Sequence, residues 1–145
     1  MPPAPRIVKL DIASRIEMLE MVQAVLAHVA AWAGFDEESS HYMSVAVRES
    51  VVNAIKHGNR GNASLRVGVA FGLGPDALSV EVSDQGQGFD PERIGDPLAE
   101  ENLLKTDGRG IFFMRSFMDE VSYTFPKGGG TTVRMRKRLA VSAEA

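Results

Sequence analysis

Between positions 65 and 82 the chain alternates apolar and polar residues twice, on either side of a Gly74-Pro75-Asp76 turn. Leu65, Val67, Val69 and Phe71 alternate with Arg66, Gly68 and Ala70; Leu78, Val80 and Val82 repeat the pattern. Successive strand side chains point to opposite faces, so this spacing predicts an antiparallel hairpin with one apolar face. That face has to be covered, and what the rest of the chain offers as cover decides the fold.

Two helical patterns precede the hairpin. Ser14 reads as an N-cap, with Glu17 three residues on completing a capping box. The helix it opens carries Ile16, Leu19, Val22, Val25, Leu26 and Val29 on one stripe and ends at Gly34. Asp36, Glu37 and Glu38 open a second helix, acidic where the helix dipole favours acid, that runs to about His57 and Gly58. Ahead of both, IVKLDI over 7–12 alternates as a short strand. After the hairpin, Gly86, Gly88, Pro91, Gly95 and Pro97 break any regular pattern, and residues 84–107 read as a loop. A third helix starts near Gly108 and carries Ile111, Met114, Phe117 and Met118. Strands over 121–125 and 131–138 flank a KGGG turn, and the basic end, Arg134, Arg136, Lys137 and Arg138, alternates with Val133 and Met135 and reads as the exposed face of an edge strand. The expectation is an α+β fold: a two-layer sandwich of a mainly antiparallel mixed sheet with helices on one face. One domain over 6–139 is expected, between a disordered tail at 1–5 and a short tail at 140–145.

Bulk properties remove several function classes. A net charge of -3 disfavours a nucleic-acid binder held by phosphate contacts. The absence of cysteine excludes disulfides, thiolate metal sites and a cysteine nucleophile. MPPAPR has no apolar core of a signal peptide, and no apolar run is read as approaching the roughly 20 residues of a membrane span. A cytoplasmic protein without membrane contact is expected.

The second helix carries a polar stripe. At about 100° per residue, Glu49, Asn53 and Lys56 fall within an arc of about 60°. From spacing alone, a solvated helix edge with a Glu–Lys pair is the simpler reading. The functional reading is a cleft in which Glu49 takes a proton and Asn53 offers a neutral oxygen to a hard cation such as magnesium. Asp84 ends the strand that begins at Leu78. A carboxylate there, followed by Gly86 and Gly88, suits a ligand amine with close backbone approach, although Asp-x-Gly turns are frequent. Gly108-Arg109-Gly110 precedes the third helix, whose N-terminal N–H groups favour an anion, with Lys105 and Arg109 as added charge. Neither GxxxxGK[ST] nor a GxGxxG turn after the first strand occurs.

Taken together, these segments resemble the ATP-binding family shared by gyrase, Hsp90, histidine kinases and MutL, and within it the serine/threonine kinase branch of anti-sigma factors. ESVVNAIKHGN is similar to that family's N-box, DQGQGF to its first glycine box, GRGIFFM to its second and GGGTTVRM to its closing strand. The resemblance spans nearly the whole chain; Phe112 and Phe113 depart from the smaller aliphatics of many relatives. It implies ATP with magnesium as cofactor. Asn53 would coordinate the magnesium and Asp84 would bind the adenine amine, supported by Thr131. Gly86, Gly88, Gly108 and Gly110 would shape the pocket and its lid, with Lys56 near the phosphates.

Residue 49 sorts the branches. A serine hydroxyl is a poor nucleophile and benefits from a carboxylate that accepts its proton, which Glu49 provides. The resemblance thus implies a serine kinase that phosphorylates a small antagonist protein and sequesters a sigma factor or similar regulator, commonly as a homodimer. An ATP-binding partner-capture module is the alternative. A gyrase-class ATPase fits less well, because a further domain would have to supply a lysine. His28, His41 and His57 are scattered and read as structural.

Overall fold

In a computed structural model the described residues are 6–86 and 114–139. The hairpin expected from the alternation is β2 (Arg66–Leu73) and β3 (Ala77–Ser83). They pair in register from Gly68↔Ser83 to Leu73↔Leu78, and Gly74 N–H closes the turn on Ala77 O at 3.0 Å. β1 (Arg6–Ala13) adds to the outer side of β2. β4 (Glu120–Thr124) and β5 (Thr132–Arg138) complete a five-stranded sheet of order β1-β2-β3-β5-β4. Every pairing among the described strands is antiparallel, so the parallel component of the expected mixed sheet is absent there.

The inward faces of the strands meet two helices. Val67, Val69, Phe71, Leu78, Val80, Val82, Val133 and Met135 are buried together with Leu19, Val22, Leu26 and Val29 of α1 (Leu19–Ala33) and Met43, Val47 and Val51 of α2 (Glu37–Asn53). Each such side chain contributes about 1.5–3 kcal/mol on leaving water, so this layer contact dominates the fold. Residues 114–117 are helical, and Phe117 stacks on Tyr42 of α2 at 4.9 Å. Gly34 ends α1 in the left-handed conformation at φ 96°. Asp36 caps α2, accepting the Ser39 N–H at 2.7 Å, a bond that lowers the pKa of its carboxyl.

Four features depart from the expectations. Ser14 is no helix cap: a 3₁₀ turn, Ile16–Met18, intervenes, and the Ser14 hydroxyl is buried in a bond to Leu65 O at 2.7 Å. Ile16 consequently leaves the apolar stripe and is exposed. The stretch Ile16–Ala33, at mean hydropathy 1.3, is long and apolar enough by length and composition to cross a membrane, contrary to the expectation that no apolar run approaches that length. Its stripe is instead buried against α2 and the sheet. Finally, β5 was expected at an edge and lies inside the sheet. Its outward cations meet acids on both neighbours: Arg134 with Glu81 at 3.7 Å, Arg136 with Glu120 at 3.4 Å and Arg138 with Glu120 at 3.1 Å. The basic strip is therefore charge-compensated.

Candidate nucleotide site

The C-terminal end of α2 does not continue as an α-helix. From Ala54 to Gly58 the chain forms a π-turn, with Asn59 N–H bonded to Ala54 O at 2.8 Å. Such widened turns are rare and concentrate at functional sites. The 100° step holds from Glu49 to Asn53, keeping them on one face one turn apart, and fails at Lys56. Glu49 and Asn53 are half-buried, whereas Lys56 is exposed. Among the described residues, neither the Glu49 carboxylate nor the Asn53 amide has a hydrogen-bond partner, and Glu49 forms no ion pair with Lys56.

The π-turn delivers Gly58 onto Asp84. A Cβ at Gly58 would collide with the Asp84 carboxylate, and one at Gly86 would collide with Gly58 O. The two glycines let the end of the helix and the end of β3 touch backbone to backbone. Gly86, expected to admit a ligand, thus first admits Gly58. Gly58→Ala is expected to push the carboxylate aside, lowering stability by about 1–3 kcal/mol and weakening ATP binding about tenfold or more. A thermal melt and a calorimetric titration check this; unchanged affinity would mean the contact is dispensable.

Asp84 is held from the opposite side by Thr131. Asp84 N–H donates to Thr131 O at 3.0 Å, and Asp84 Oδ1 accepts from Thr131 N–H at 3.1 Å and from Gly86 N–H at 3.0 Å. Oδ2 accepts no hydrogen bond among the described residues. Burial raises the Asp84 pKa above its ordinary value, partly offset by the Gly86 and Thr131 N–H groups. The result is a fixed carboxylate with one oxygen saturated by the backbone and the other available to a donor such as an exocyclic amine.

The structure therefore brings Asp84, Gly86 and Thr131 together and leads the Glu49–Asn53 helix into the same point. Gly88, Lys105, Gly108, Arg109 and Gly110 lie outside the described residues. A cavity of about 620 Å³ lined by Asp36, Ser39, Asp119 and Lys137 lies at the other end of α2, about 25 Å away along the helix, and is remote from this site. Sequence reading assigned no role to Gly58, Asn59, Gln85 or Gly130. At Gly130, with φ 88°, a Cβ would collide with Asp84 O. Their signal was their place in the motifs: Gly58 and Asn59 end ESVVNAIKHGN, Gln85 lies in DQGQGF and Gly130 in GGGTTVRM.

Residues 12–137 match the Histidine kinase-like ATPase domain. The chain belongs to this family. It is 30% identical over 139 residues to a serine-protein kinase RsbW of Staphylococcus epidermidis, covering 91% of this chain and 86% of that protein. It is 29% identical over 139 residues to a serine-protein kinase RsbW of Oceanobacillus iheyensis, covering 92% and 87%. Its fold is that of the crystal structure of the RsbU and RsbW domains of a Mycobacterium tuberculosis protein, at TM-score 0.69 and 21% identity. That match covers 95% of this chain and 34% of the longer one. As a member of this ATPase family the chain binds ATP.

Proposed function

We propose that this protein is an ATP-dependent protein serine kinase of the anti-sigma type. It would phosphorylate a serine of a small antagonist protein and, when not so engaged, sequester a sigma factor or similar regulator, acting in the cytoplasm as a homodimer. The observation that carries the reading is the pair Glu49 and Asn53: a carboxylate and an amide without protein partners among the described residues, one turn apart, on the helix that ends against Asp84. The similarity to RsbW serine kinases over nearly the whole chain supports it.

In this reading Asp84 Oδ2 accepts the adenine amine, and Thr131 and Gly86 fix the carboxylate. Glu49 accepts the proton of the substrate serine as its Oγ forms a bond to the γ-phosphorus; the bond from that phosphorus to the β–γ bridging oxygen breaks and ADP leaves. The donor set fits magnesium, which takes few protein ligands when phosphates supply the rest; among the described residues no group of three or more His, Cys, Asp or Glu forms an all-protein cage. Asn53 Oδ1 would hold it, and the ion would neutralise charge on the phosphates. The other residues position the substrates, which with charge neutralisation is most of what phosphoryl transfer requires.

Incubation with γ-labelled ATP, magnesium and the candidate antagonist protein is expected to yield phosphoserine. ATP binding without label transfer to any antagonist would sink the kinase reading in favour of ATP-gated partner capture. Asn53→Ala is expected to remove the magnesium dependence of ATP binding, read by calorimetry with and without the ion; retained dependence would take Asn53 out of the site.

A further inference from the structure

Asn59, at the end of the π-turn beside the candidate site, is buried, at 1% exposure. Its Nδ2 donates to Ser14 Oγ at 2.8 Å and to Arg66 O at 3.0 Å. Its Oδ1 accepts the N–H of Gln85, the residue after Asp84, at 2.8 Å. Gln85 is held a second time, its Oε1 accepting Arg66 N–H at 2.5 Å. The Ser14 hydroxyl passes the network on to Leu65 O. One amide thus ties the end of the π-turn, the end of β1, the start of β2 and the turn that follows β3. A buried amide with its donors and an acceptor lone pair in use fixes geometry rather than adding much net stability.

We propose that Asn59 is a positioning residue for nucleotide selection. Its Oδ1 sets the Gln85 backbone, and thereby aims the neighbouring Asp84 carboxylate relative to the helix that carries Glu49 and Asn53. This rests on the reading of Asp84 as the adenine-binding carboxylate. The two halves of the site come from distant parts of the chain, and Asn59 joins them by side-chain hydrogen bonds. The Gly58–Asp84 contact sets how close they come; Asn59 sets how they are turned.

The test separates Oδ1 from the rest of the side chain. Asn59→Ala removes every bond. Asn59→Asp keeps an oxygen for Gln85 N–H and loses the donors to Ser14 and Arg66. ATP and GTP affinities are measured by calorimetry beside thermal melts. Both variants are expected to melt below wild type. The preference for ATP over GTP is expected to fall about tenfold in Asn59→Ala and to survive in Asn59→Asp. Val29→Ala, a core truncation in α1, serves as a control that lowers the melting temperature with selectivity intact. If Asn59→Ala keeps the wild-type preference, or if both Asn59 variants lose it equally, the positioning role is overturned. Should neither variant fold, amide exchange of Gln85 in the wild-type protein decides. Slower exchange on saturation with ATP supports the role, and unchanged exchange overturns it. A wild-type protein with no preference for ATP would instead strike at the assignment of Asp84 itself.

Discussion

Glu49→Gln is expected to lower the rate of serine phosphorylation by about 10²–10⁴-fold, the range lost with a general base, while ATP affinity stays essentially unchanged. Glutamine matches glutamate in size, so the half-buried position on α2 stays filled and Asn53, one turn away, keeps its place. What disappears is the ability to take a proton. Because Glu49 has no hydrogen-bond or ion-pair partner among the described residues, the change breaks no protein contact there, and stability is expected to hold. The loss therefore falls on kcat rather than on binding, the signature of an interaction made only in the transition state. Single-turnover transfer of label from ATP to the antagonist, beside a calorimetric titration, reads both quantities. Equal transfer rates in wild type and variant would remove Glu49 from the chemistry.

The expectations that succeeded rested on local rules. Alternation around Gly74-Pro75-Asp76 located β2 and β3, and the acidic run at Asp36 located the start of α2 to within a residue. Both depend on side chains within a few positions of one another. Ser14 failed for the opposite reason. A serine three residues before a glutamate satisfies the local rule for a cap, but Leu65 O and Asn59, 51 and 45 residues away, claim the hydroxyl. β5 was misplaced because alternation says which face a residue takes and nothing about which strands flank it. Glu49, Asn53 and Asp84 could be picked out as chemically apt residues. That a π-turn, two glycines and a buried asparagine hold the helix end against β3 was not legible, since each works through contacts with a distant backbone.

Asp84→Asn is expected to improve the fold where it damages function. The asparagine Oδ1 can still accept the Gly86 and Thr131 N–H groups, so the backbone scaffold survives. The atom in place of Oδ2 becomes an N–H donor, and an adenine amine would then face a donor instead of an acceptor. Losing a hydrogen bond to a charged group and opposing two donors is worth about 1.5–3 kcal/mol. ATP affinity should therefore fall about 10- to 150-fold, with the preference over GTP lost. Stability moves the other way. Burial raises the pKa of this carboxyl in the folded protein, so ionising it disfavours the fold. Its contribution to stability is present in full below its ordinary value of 3.8 and is lost as pH rises through the raised value. The variant has no such group. Its melting temperature should come closest to that of wild type in acid and exceed it increasingly as the pH rises towards neutrality. Melts across that range, paired with ATP and GTP titrations at neutral pH, measure both effects on one protein. A variant that keeps its adenine preference would take Asp84 out of the nucleotide site. One whose melting temperature falls further below wild type as pH rises would mean that the buried carboxylate stabilises this fold.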